Sequence, residues 1–165
     1  MAEKTLWVLG VPLSDHTDLP AQTLERIAQA DIVIGESRKS SFRFLAQVPG
    51  GKSKPLFLTD ESARPEEKDW LPALKALAQT GGSVALFSDT GMPLLFDPGR
   101  EVLVECRKLG FTIRSVSAAT SWGSACALTG WDPPFCVAGF PPRENRDREA
   151  FWKTLRQSPQ HCVIM

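Results

Sequence analysis

A mostly parallel α/β sheet flanked by helices is the fold this sequence predicts, and three observations predict it. Short apolar runs bounded by turn residues recur along the chain, as strands buried on both faces do. Stretches with apolar residues at helical spacing separate these runs, and strand–helix alternation is the pattern of a parallel sheet. Loops of small residues follow several of the runs, at the strand ends where open α/β sheets bind ligands.

Leu6-Trp7-Val8-Leu9 reads as the first strand, and Gly10-Val11-Pro12-Leu13-Ser14 follows it as a tight loop. Pro20 starts a helix whose stripe is Leu24, Ile27 and Ala28. Ile32-Val33-Ile34 is a second strand, closed by Gly35 and Glu36. Ser37 can cap a helix that carries Phe42 and Leu45 inward, with Arg38, Lys39 and Arg43 near its start. Leu56-Phe57-Leu58 is a short third strand, and the polar stretch after it is expected to be exposed. Trp70, Leu74, Leu77 and Ala78 mark the next helix, with Gly81 as its stop.

Val84-Ala85-Leu86-Phe87 is the fourth strand. Ser88, Asp89, Thr90 and Gly91 then place hydroxyl, carboxylate and bare backbone where it ends. Met92-Pro93-Leu94-Leu95-Phe96 is apolar but holds a proline, so it reads as a loop or pocket wall. Asp97-Pro98-Gly99 is expected to open a helix, with Asp97 as its cap and Pro98 at its first position. That helix carries Val102, Leu103, Cys106 and Leu109 on one side. A fifth strand, Thr112-Ile113-Arg114-Ser115-Val116, leads into the small-residue loop Ser117-Ala118-Ala119-Thr120-Ser121. A helix is expected from Ser124 to Thr129.

Pro133-Pro134 reads as a boundary, giving a first domain over residues 1–132 and the start of a second α/β domain over 133–165. A charged helix from about Asn145 and a strand reaching Met165 follow. A strand that stops at the last residue is expected of a truncated second domain.

The 165 residues are 42% hydrophobic with formal net charge +0, which fits a globular protein and gives no global pull toward nucleic acid or an anionic membrane. The four cysteines show no metal-ligand spacing and read as reduced residues of a cytoplasmic protein, so no metal and no membrane partner are expected. No dinucleotide fingerprint or Walker loop is present. His16 and His161 suggest no partner.

Three strand-end loops, Gly10 to Ser14, Ser88 to Met92 and Ser117 to Ser121, lie on one edge of a parallel sheet and are expected to meet in one crevice. With Asp89 as the one clear acid among them, that crevice suits a neutral or cationic ligand better than a triphosphate. LWVLGVPL, ADIVIGES, VALFSDTGMPLLFDPG, SAATS and CVAGFPPR together resemble the tetrapyrrole methylase superfamily of S-adenosylmethionine-dependent methyltransferases. The resemblance is to the ribosomal RNA small subunit methyltransferase I branch, whose central loop reads SDAGTPxxxDPG against SDTGMPLLFDPG here. It covers nearly the whole chain. GVPLS stands for the branch's TPIGN-like loop, and Ser117-Ala118 for the Pro-Gly of its PGPSA-like loop. Glu36-Ser37-Arg38-Lys39 stands for its acidic-Thr-Arg motif, which is more like a divergent paralogue.

The resemblance implies S-adenosyl-L-methionine as cofactor and RNA as substrate, with ribose 2′-O-methylation of 16S rRNA in the small ribosomal subunit, and a homodimer. Residue by residue it implies cofactor contacts from Pro12, Phe87, Ser88, Asp89, Met92, Thr120 and Ser121. Glu36, at the end of the second strand, is the candidate base for a ribose hydroxyl, against a solvated or helix-capping role. Arg38, Lys39 and Arg43 could grip phosphate or form a solvated face. Methylation of a tetrapyrrole or other small molecule, and a non-catalytic cofactor-binding or partner module, are the alternatives.

Overall fold

The computed structural model describes residues 3–14, 19–60 and 64–165. The expectations for Asp15 to Asp18, His16 among them, and for part of the polar stretch after the third strand fall outside these. The chain divides into two units, Met1–Ala119 and Thr120–Met165.

The first unit is a five-stranded sheet in which every pairing is parallel. Its strands are β1 (Lys4–Leu9), β2 (Ile32–Gly35), β3 (Leu56–Leu58), β4 (Gly82–Leu86) and β5 (Thr112–Val116), in the spatial order β3-β2-β4-β1-β5. The helices are α1 (Ala21–Gln29), α2 (Arg38–Leu45), α3 (Pro65–Lys68), α4 (Leu71–Thr80) and α5 (Arg100–Lys108). Strand alternation sorts the core into two layers. Leu9, Val33, Ala85 and Phe87 face one side and pack with Ile27 of α1 and Phe44 and Leu45 of α2. Leu6, Val8, Ile32, Ile34, Val84 and Leu86 face the other and pack with Leu74 of α4 and Val102 and Cys106 of α5.

Three expectations are corrected within or beside these elements. Phe42 is 47% exposed, and the buried face of α2 is Ser41, Phe44 and Leu45, because 44 and 45 stand three and four residues after 41. Asp97 does not cap a helix: α5 starts three residues later at Arg100, entered through Gly99 at φ 105°. Leu94 and Phe96 both have φ 71°, so the segment before α5 is a left-handed turn that turns Asp97 toward the Ser88 hydroxyl. The helix expected from Ser124, here α6 (Ser121–Thr129), begins at Ser121, because the Thr120 hydroxyl accepts the Gly123 amide at 3.1 Å.

The second unit holds α6, β6 (Phe135–Gly139), α7 (Asn145–Arg156) and β7 (His161–Ile164). β6 and β7 pair in parallel, with Phe135, Cys136 and Val137 opposite His161, Cys162 and Val163. Parallel neighbours need a crossover, and α7 supplies it. His161 does have a partner, because its ring stacks on Trp131 at 4.6 Å and 11°. Pro133-Pro134 lies between α6 and β6.

Candidate functional site

In the first unit the carboxyl ends of β2, β4, β1 and β5 stand side by side, because those four strands are consecutive in the sheet. The loop after β1 is tied to both neighbours: the Gly10 amide donates to the Val116 carbonyl at 2.8 Å and the Val11 amide to the Gly91 carbonyl at 2.8 Å. Met92 Sδ lies 3.3 Å from the Ala118 amide. A Cβ on Gly10 would come within 2.6 Å of the Ala118 nitrogen and 2.8 Å of Met92 Sδ. Only a residue without a side chain lets the three loops close this tightly.

Beside this junction, Val11, Pro12, Ser40, Arg43, Phe44, Phe87, Ser88 and Asp89 line a narrow pocket of about 10 Å³. That is room for about one water molecule. Phe87 forms its floor, held edge-on against Phe44 at 5.2 Å. Any nucleoside-sized ligand lies largely outside a space this small.

Glu36 and Ser37 meet Asp89 across the β2–β4 boundary. The Ser37 amide donates to Asp89 Oδ1 at 3.1 Å and its hydroxyl to Oδ2 at 2.6 Å. In return the Asp89 amide donates to Glu36 Oε2 at 3.0 Å. Ser37 precedes α2 at the expected cap position, but its hydroxyl is spent on Asp89 and not on the helix amides. Glu36 does not cap a helix, because its Oε2 accepts the amide of Asp89. It is half-buried and locks the neighbouring loop.

The site is rich in acid. Burial pushes the Glu36 carboxyl above its ordinary range, the Asp89 amide pulls it back, and the charges of Asp89, Asp97 and Asp60 add to the rise. Burial likewise raises Asp97, against the hydrogen bond from Ser88 and with the Asp89 charge adding. Among the described residues no Lys or Arg forms an ion pair with Glu36, Asp89 or Asp97. A positive charge beside these carboxylates would relieve the crowding, and Arg43 lines the same pocket as Asp89. No group of His, Cys, Asp and Glu among the described residues could hold a metal ion.

Of the residues singled out by sequence, Pro12, Phe87, Ser88 and Asp89 line the pocket together, and Glu36 is bonded to Asp89. Met92 fills the junction of the three loops. Thr120 and Ser121 open α6 in the second unit, where the Ser121 hydroxyl lies 3.7 Å from Met165 Sδ. Arg38 is paired with Glu67 and stacked over Phe42 at 5.1 Å, whereas the exposed Lys39 and Arg43 have no carboxylate partner among the described residues. Sequence reasoning missed Ser40 and Phe44 as pocket walls. They stand four apart on α2, a spacing that puts both on one face of the helix.

An open parallel α/β sheet with a pocket at the ends of its inner strands has the architecture of the doubly wound class, whose ligands bind at those ends. The chain belongs to the Tetrapyrrole (Corrin/Porphyrin) Methylases family, whose pattern it matches over residues 5–165. It is 29% identical over 161 residues to the ribosomal RNA small subunit methyltransferase I of Thermotoga maritima, covering 96% of this chain and 69% of that protein. The same-named proteins of Leptospira borgpetersenii and Haemophilus influenzae are 30% and 29% identical over 96% of this chain, with 61% and 55% of their own lengths covered. The chain thus spans roughly half to two thirds of these relatives. Among solved structures it is similar to a diphthine synthase (TM-score 0.58, 18% identity, 97% of this chain and 63% of that one). It is also similar to the Thermus thermophilus uroporphyrin-III-C-methyltransferase (TM-score 0.52, 20% identity, 85% and 60%). These likenesses establish the fold. No helix among the described residues is long and apolar enough to cross a membrane.

Proposed function

We propose that this chain is the cofactor-binding part of an S-adenosyl-L-methionine-dependent methyltransferase that acts on RNA. By its relatives' names the substrate is ribosomal RNA of the small subunit, and the family resemblance makes a ribose 2′-hydroxyl the acceptor. Residues 1–132 form the first domain and 133–165 begin the second, and the working protein is a cytoplasmic homodimer. The observation that carries the reading is the small pocket at the ends of β1, β2 and β4, where Pro12, Phe87, Ser88 and Asp89 meet and Asp89 is bonded to Glu36.

The donor is a cation, and its sulfonium and ammonium charges are what Glu36, Asp89 and Asp97 lack as a partner. When bound it supplies an activated methyl group, so the protein has chiefly to align and dehydrate the reactants. Alignment of this kind contributes on the order of 7–11 kcal/mol in favourable cases. Asp89, fixed by two bonds from Ser37, orients a cofactor polar group without reorganising. By the family resemblance Met92 of the first unit, and Thr120 and Ser121 of the second, are also assigned to the cofactor. Glu36 gives one oxygen to the Asp89 amide and has the other to accept the hydroxyl proton, and burial raises its pKa, which makes it a stronger base than an exposed carboxylate. Arg43, which lines the pocket, and the exposed Lys39 on the same helix hold the phosphates of the acceptor strand.

Calorimetry with S-adenosylmethionine and S-adenosylhomocysteine tests the reading. Binding is expected to stabilise the fold by about 2.7 kcal/mol at a hundredfold excess of ligand over its Kd. Asp89→Ala should abolish that shift. No heat and no thermal shift from the wild-type protein would overturn the function, and an unchanged shift in the variant would move the site elsewhere.

A further inference from the structure

Cys136 and Cys162 are each the second residue of their strand and stand directly opposite one another in the β6–β7 register. The Cys136 thiol donates to the Cys162 sulfur at 2.9 Å. Neighbouring strands lie about 4.8 Å apart, inside the range of about 4.4–6.8 Å between Cα atoms that a disulfide bridges. Both residues are half-buried, so small reagents reach them, whereas Cys106 and Cys126 are buried. Burial also pushes the Cys106 thiol up to about 12, which leaves it inert. The Cys136 hydrogen bond lowers the Cys162 thiol, with Ser158 adding to the effect, while Cys136 is raised by the same contact.

We propose that Cys136 and Cys162 are a reversible dithiol–disulfide site whose reactant is a low-molecular-weight disulfide. The Cys162 thiolate attacks one sulfur of the small disulfide. That S–S bond breaks, one thiolate leaves with the electron pair and takes a proton from water, and a mixed disulfide remains on Cys162. Cys136 then loses its proton, attacks the Cys162 sulfur and expels the second small thiol. The protein gives up two electrons and two protons, and the small disulfide is reduced to two thiols. The new bond joins β6 to β7 across 26 sequence positions, closing a ring around the α7 crossover. In a reducing compartment the pair stays open and closes when the thiol pool is oxidised. The site lies within the second unit and is independent of the methyl-transfer chemistry.

Incubating the intact protein with oxidised glutathione, followed by mass spectrometry and peptide mapping, tests the site. The wild type should lose two hydrogens in a single Cys136–Cys162 link, unfold at a higher temperature, and return to its starting mass and midpoint on reduction. Cys136→Ser should stop at a glutathione adduct on Cys162, and Cys106→Ser should behave as the wild type. A wild type that keeps four free thiols, carries only glutathione adducts, or links any other pair would overturn the proposal. If Cys136→Ser fails to fold, the wild-type peptide map alone decides it.

Discussion

Glu36 carries a carboxylate into a half-buried site already occupied by Asp89 and near Asp97, and its pKa rises because burial disfavours its charge. An acid whose pKa is higher in the folded state adds stability that is fully present below its unfolded pKa, about 4.3 for Glu, and lost as pH rises through the folded value. Asp97 is raised for the same reason and acts in the same direction. Glu36→Gln removes the charge but keeps an oxygen for the Asp89 amide. The variant should therefore match the wild type at acid pH, become progressively more stable than it as pH rises from about 4.3 through the raised folded pKa, and then level off. Denaturant midpoints of both proteins across that range check this. A gap that stays flat or closes with rising pH would show that Glu36 is stabilised by its charge. A site that works better with a crowded anion than the fold does is what a cationic ligand needs.

At the scale of elements, the organising feature is the closure of three strand-end loops on Gly10. Alanine there would place a methyl group against the Ala118 backbone and Met92 Sδ, and backbone cannot yield as a flexible side chain does. Gly10→Ala should destabilise the protein by about 1–3 kcal/mol, the usual cost of overpacking. It should weaken cofactor binding as well, because Val11 and Pro12 follow directly and line the pocket. A thermal melt and the same calorimetry read both, and an unchanged midpoint would mean that the loops are looser than this geometry. All five strands of the first unit were legible in the sequence, because runs such as Ile32-Val33-Ile34 are buried on both faces and carry their own signal. The start of α5 was not legible. Asp97-Pro98 has the residues of a helix opening, yet left-handed turns at Leu94 and Phe96 hand Asp97 to Ser88, a contact with no local signature. The Ser37–Asp89–Glu36 lock was hidden for the same reason, since its members are about fifty positions apart and only the β2–β4 pairing joins them. The small loops that border the pocket were visible beforehand, whereas its α2 wall was blurred by taking Phe42 for Phe44 as the inward ring.

The two units of the whole molecule differ in how much they bury. The first has inner strands covered on both faces, with Leu6, Leu9, Val33, Ile34, Val84 and Leu86 all at 1% exposure or less. In the second, α7 has no buried residue, β7 has none, and Leu128 is 89% exposed. Two strands and their crossover bury too little apolar surface to match a five-stranded sheet, and a two-stranded ribbon is marginal by itself. Opening of the second unit should thus cost less than global unfolding. Amide hydrogen exchange should show β6, α7 and β7 protected at least tenfold less than β1 and β4, where each tenfold is about 1.4 kcal/mol. The graded expectation is specific: β1 and β4, central in the sheet, exchange last, the edge strand β3 earlier, and β7 before any of them. Equal protection in β1 and β7 would mean that the chain unfolds as one cooperative body. The α7 crossover would then draw stability from interactions that its own burial does not account for.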